Sequence, residues 1–255
     1  MIVPGVPSDT TQVVALVALF AAALTYFEYA SPYPCLVEFR DAPPFNRVRF
    51  MSLFLTVVLL SLVCKGRTEP TTLTYFVEIL GQKVGAAFDF PFSPVQIMTK
   101  MLPEGVDPAR LAFVQMAGGV AYLVSLLTLA IFVILMRTLG WPSREGMFNV
   151  WVNLPTFDPT TGGDVVRRLN RDAVFNIVMG FLLPFLIPLV VMTASLSLSP
   201  VTLEDDQTLI WTMTAWAFLP ASLFMRGIAM GRVAGMIAAR RRMSNARDEA
   251  GLQPA

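Results

Sequence analysis

Five apolar stretches, roughly Val13–Tyr29, Phe50–Cys64, Leu111–Leu135, Ala173–Leu198 and Leu209–Met225, hold most of the hydrophobic residues of this chain. A helix rises 1.5 Å per residue, so about 20 apolar residues cross the core of a bilayer. Three or four of the stretches reach or nearly reach that length. Apolar surface gathered into such runs does not stay dissolved in water, and this restricts the chain to a polytopic helical membrane protein. The fold expected is all-α, with about five transmembrane helices in a single membrane domain over 1–255. The spans fall near 12–30, 49–65, 110–136, 173–198 and 208–226.

Composition agrees: 55% of the residues are hydrophobic and 15% charged, where a soluble domain has about a quarter charged. Histidine is absent, which removes the commonest metal ligand and the commonest general base together. The two cysteines, Cys35 and Cys64, are too few for a zinc or iron–sulfur site. They are expected on opposite sides of the membrane and unlinked. No catalytic, cofactor-binding or metal-ligating set is expected. The net charge of +1 gives no general attraction to nucleic acid. The expected partners are the lipid bilayer and a protein partner or second copy in the membrane.

The first twelve residues, MIVPGVPSDTTQ, carry no Lys or Arg, so the first span does not read as a cleaved signal peptide. Asp9 followed by Gln12 fits a capping box that opens this helix. Charge predicts the orientation. Arg40, Arg47 and Arg49 lie between spans one and two, and five arginines from Arg137 to Arg171 lie between three and four. Six more run from Arg226, at the end of span five, to Arg247 in a basic tail over 227–255. The loop between spans four and five has Glu204, Asp205 and Asp206 and no basic residue. By the positive-inside rule the N-terminus faces the periplasm and the C-terminus the cytoplasm. An abundance of Arg over Lys suggests a bacterial inner membrane. Span two is the weak point: Phe50–Cys64 makes only ~22 Å of helix. Snorkelling of Arg49 and Lys65 completes it; a re-entrant hairpin is the alternative.

The outer loop, 66–109, is expected to be an amphipathic helical segment. Leu73, Phe76, Val77, Leu80, Val84 and Phe88 recur at helical spacing and form a face for the membrane interface. Ser93-Pro94 and Asp107-Pro108 are N-cap and first-turn pairs, the first opening a short helix to about Leu102. In the cytoplasmic loop, 137–172, the alternation over Phe148–Leu154 predicts a short strand or extended stretch. Pro155 and Pro159 surround a turn, and Thr160-Thr-Gly-Gly-Asp164 leads into a helix that Asp164 caps.

Pro184 and Pro188 in span four and Pro220 in span five are candidate helix kinks. Each frees the carbonyl four residues earlier, at Gly180, Pro184 and Trp216. Thr193, Thr212 and Thr214 are near enough to satisfy them. Glu28, at the cytoplasmic end of span one, is a candidate ion-pair partner for Arg47 or Arg49. Gly227, Gly231 and Gly235 recur every four residues, a spacing that lets helices pack closely. The spans carry no internal charge of the kind coupled transport uses. The function expected is therefore a non-enzymatic accessory, scaffold or assembly component that works through helix–helix contacts. A small transporter or channel built on the proline-containing spans is the second reading, and a lipid-acting membrane enzyme the third.

Overall fold

A computed structural model describes residues 3, 8–103, 105–141, 148–158, 160, 163–195, 203 and 205–249. The expected end of span four at Leu198, Glu204 of the acidic loop, Pro159, Thr161-Gly162 and Arg144 lie outside them. Among the described residues the chain is all-helical. The helices are α1 (Ser8–Ala30), α2 (Phe45–Thr68), α3 (Thr72–Ala87), α4 (Pro94–Thr99), α5 (Pro108–Thr138), α6 (Val150–Asn153), α7 (Val165–Ser195) and α8 (Asp206–Glu249). Five of them, α1, α2, α5, α7 and α8, are long and apolar enough to cross a membrane. Their outward faces carry bulky apolar side chains: Phe20, Phe50, Phe175 and Ile131 are 70%, 64%, 64% and 51% exposed. Contiguous apolar surface of this kind suits lipid and not water.

The core divides between the two ends of the bundle. At one end Leu60, Cys64, Met98, Val114, Met213 and Trp216 pack together, close to Asp206, which pairs with Arg67 at 3.0 Å. At the other, Phe39, Phe45, Phe132, Trp141, Leu169 and Met230 form a second cluster. This is the arginine-rich end, where the connections from α1 to α2 and from α5 to α7 meet α8. The second long helix has no shortfall. α2 takes in Phe45–Arg49 and Lys65–Thr68 around its apolar run, giving 24 continuous residues, ~36 Å.

α7 and α8 form the most extensive pair and run unbroken through Pro184, Pro188 and Pro220. The backbones come close at Gly180, where a Cβ would lie 2.9 Å from the Pro220 carbonyl oxygen. Pro188 cannot donate to the carbonyl of Pro184. The indole N–H of Trp216 donates to it instead, at 2.9 Å across the helix interface. The expected threonines do not serve there: the Thr193 hydroxyl donates to Val190 O, and Thr214 Oγ1 is buried with no partner among the described residues.

α3 forms where its spacing predicts, opened by a reciprocal cap between Thr71 and Thr74, and the expected apolar stripe divides. Thr74, Val77, Gly81 and Gly85 face the bundle, while Leu73, Phe76 and Leu80 turn outward. Glycine explains which face packs. A Cβ on Gly119 of α5 would lie 2.7 Å from Gly85 Cα, so α3 crosses α5 at a backbone-to-backbone contact that no larger residue permits. Ser93 and Asp107 cap α4 and α5 as expected, accepting from Gln96 N–H at 3.0 Å and Ala109 N–H at 3.1 Å. Phe148–Leu154 is a correction: it holds the helical turn α6 and not a strand. Asn149 Oδ1 accepts the Trp151 N–H at 3.0 Å, and this local cap overrides the alternation.

Two neighbouring glycines test the crossing. Gly118→Ala meets only ordinary contacts, the nearest at 3.6 Å, and should leave thermal stability unchanged or raise it by up to about 1 kcal/mol through helix propensity. Gly119→Ala should lower it by about 1–3 kcal/mol by overpacking. Unfolding in mild detergent, followed by circular dichroism, reads both.

Candidate functional site

The polar residues of this protein converge at the arginine-rich end, around the elbow 31–44 that joins α1 to α2. Glu28, the one buried residue of α1, anchors the elbow. Its Oε2 accepts the backbone N–H groups of Cys35, Leu36 and Val37 at 3.0, 2.9 and 3.0 Å. Arg40 crosses beneath, donating to the carbonyls of Glu28 at 3.3 Å and of Ser31, and pairs with Asp41 at 2.9 Å. The expected ion pair of Glu28 with Arg47 or Arg49 does not form. Three chain amides converge on one oxygen of the carboxylate, and hydrogen bonds to the charged form stabilise it in place of a cation.

The elbow is then held to the bundle by Glu38. Arg226 of α8 grips it bidentately, Nε to Oε2 at 2.6 Å and Nη2 to Oε1 at 2.8 Å. Its third donor, Nη1, reaches Asn176 Oδ1 of α7 at 3.1 Å. Thr156 adds a hydroxyl to Glu38 Oε1 at 2.6 Å. Asn153 accepts from Phe39 N–H through its carbonyl at 2.7 Å and from Asp41 N–H through its side chain at 3.0 Å. Phe39 sits at φ 53, a conformation that costs about 1–3 kcal/mol in a residue other than glycine. Its ring, fully buried, lies 4.5 Å from that of Phe45. Arg49 lies against the same group, its guanidinium 5.5 Å from the Phe45 ring and 5.8 Å from the Phe218 ring. Among the described residues Arg49 Nε has no hydrogen-bond partner.

Glu38 and Arg226 were not singled out in the sequence. Their signal is weak: an acid in a short loop and one arginine following the apolar run Leu223–Met225, 188 positions apart. Beyond Arg226, α8 continues as a helix beside the start of α7. Val233 and Ala234 pack with Leu169 and Ala173, and Arg241 meets Asp164 at 2.5 Å. Asp164 also accepts from Val166 and Arg167 N–H as the cap of α7. The Arg241 bond, with these amides, holds its carboxyl below the usual range. The glycine series divides. A Cβ on Gly227 would lie 2.7 Å from Ala173 O, so Gly227 sets the approach of α8 to α7. Gly231 has an ordinary contact at 3.7 Å, and Gly235 has nothing within 4 Å.

α1 itself stands apart. Its apolar window is 0% buried, against 22–50% for the other four long helices. Val3, just before it, rests on the core cluster at the opposite end, and Glu28 ties its foot, but among the described residues no helix packs extensively along the shaft. The two cysteines are free, Cys35 exposed and Cys64 buried. Among the described residues no three side chains converge as a metal site. Compared with known proteins, the chain matches no family model, no curated protein and no solved structure.

Two substitutions report on this end. Glu38→Gln leaves the charge of Arg226 largely buried without a counter-charge, and should cost about 2–4 kcal/mol of thermal stability. Arg171→Ala, at an exposed pair, should change it by less than about 0.5 kcal/mol. In the glycine series, Gly227→Leu should disrupt folding in detergent while Gly235→Leu behaves as wild type, read by monodispersity and melting temperature.

Proposed function

We propose that this protein is a scaffold or assembly component of a bacterial inner membrane, acting through helix–helix contacts of α1 with a partner or a second copy. The observation that supports this is the bare shaft of α1, a 23-residue apolar helix with one buried residue. Its foot is nevertheless fixed by three amide bonds to Glu28 and the Arg40 crossing. Ordering an elbow so thoroughly costs conformational entropy. A helix serving only as a tether has no need of a defined exit direction, whereas one that must meet a partner does. Close packing without a hydrophobic drive is what lets such helices associate in lipid.

The transporter reading draws less support. It calls for backbone carbonyls freed by proline and aimed at a path, but the Pro184 carbonyl is already bonded to Trp216. The orientation proposed keeps the N-terminus periplasmic and the arginine-rich end cytoplasmic, by the charge rule.

Both parts are testable. Photocrosslinking residues at Val17 and Phe20 should yield one discrete protein adduct in membranes. Replacing 13–27 by alternating Leu and Ala, with Glu28 retained, should abolish adduct formation from a crosslinker at Thr10 without lowering the melting temperature. Lipid adducts alone at all positions would sink the reading. For orientation, an impermeant maleimide should label exposed Cys35 in inverted membrane vesicles and leave it unmodified in intact cells. The reverse pattern would turn the protein over.

A further inference from the structure

A groove of about 500 Å³ opens between α2 and α5 on the outer surface of the bundle. It runs from Pro44 to Leu55 on one side and from Leu135 back to Val124 on the other. Twelve residues on each side, eleven helical rises, span ~16 Å, close to half of the ~30 Å hydrocarbon core. The groove therefore has the depth of one leaflet, starting at the arginine-rich end.

Its walls are the apolar side chains Val48, Met51 and Leu55 of α2 and Leu127, Ile131 and Leu135 of α5. The floor has two hydroxyls, and both are turned inward: Thr128 Oγ1 lies 2.9 Å from Ser52 Oγ and 2.7 Å from Val124 O. Nothing polar is left on the floor for a ligand. Arg47 stands at the mouth, exposed. Among the described residues no carboxylate lies within ion-pair reach of it.

We infer that this groove binds one anionic phospholipid, with its phosphate against Arg47 and one acyl chain laid between α2 and α5. An apolar slot of leaflet depth with a cation at its headgroup end has the chemistry of such a molecule. A helix from a second copy fits less well. The only charges of α1 are Asp9, near its far end, and Glu28, already occupied by three amides, so α1 brings no anion to Arg47. The walls accept any acyl chain, and discrimination falls to the headgroup. One arginine near the lipid surface favours an anionic lipid about fivefold. The inference rests on the membrane placement of the five long helices and not on the scaffold role.

The test is native mass spectrometry of the full chain in mild detergent, with phosphatidylglycerol and phosphatidylcholine in competition. The wild type should retain one phosphatidylglycerol with about a fivefold preference. Arg47→Gln should remove the preference, and Arg47→Lys should keep it. Leu127→Trp, which fills the slot, should lower retention of both lipids. Arg47 and Leu127 are exposed, and unchanged melting temperatures establish that each variant is folded. Equal retention of the two lipids by the wild type overturns the inference, as does an unchanged preference in Arg47→Gln. Displacement of the lipid by inorganic phosphate, or a lipid-free dimer that covers the groove, overturns it as well. None of these outcomes bears on the α1 crosslinks, so the two readings fail separately.

Discussion

Arg226 is a permanent positive charge in the middle of α8, on a helix otherwise apolar for three turns before it. Desolvating such a charge costs several kcal/mol unless a counter-charge and further hydrogen bonds meet it. Glu38 and Asn176 meet all three of its bonded donor positions. Because Glu38 lies in the elbow, neutralising α8 also fixes where the chain passes from α1 to α2. Because Asn176 lies on α7, the same guanidinium joins the three parts of the arginine-rich end. Asn153, Thr156 and the strained Phe39 are held in place around it.

Away from that contact the bundle follows a simpler rule. Polar backbone groups in apolar surroundings have to be satisfied internally. The α7–α8 pair shows how tightly this constrains packing. A proline releases a carbonyl, an indole from the neighbouring helix takes it, and Gly180 provides the close approach that brings the helices together.

Much of this fold is legible in the chain. Apolar runs reveal the five long helices because length and hydropathy alone set what can cross lipid. Ser93, Asp107 and Asp164 mark helix starts because capping is a local interaction. Contacts between distant residues left no comparable trace. The stripe Leu73–Phe76–Leu80 is read as an outward apolar face and is exposed, but the glycine face that packs could not be read, since Gly119 is more than thirty positions from Gly85. Glu28 looked like half of an ion pair until the elbow supplied three amides. Phe148–Leu154 alternates like a strand, but Asn149 caps it into a helical turn. The start of α2 was obscured by Arg47 and Arg49, each placed by a tertiary environment: a groove mouth for one, two aromatic rings for the other.

The 44 residues of α8 make a rod of ~66 Å, about twice what a bilayer core requires. Its last ~35 Å, from Arg226 to Glu249, begins as a paired stalk with the first turns of α7, closed at the outer end by Asp164 and Arg241. Braced at its base by the Gly227–Ala173 contact and farther out by the Arg241–Asp164 pair, this segment extends the α7–α8 pairing past the apolar stretch of α8. Its root is the Arg226–Glu38 pair, so the same helix that carries the extension also seats the elbow at the foot of α1.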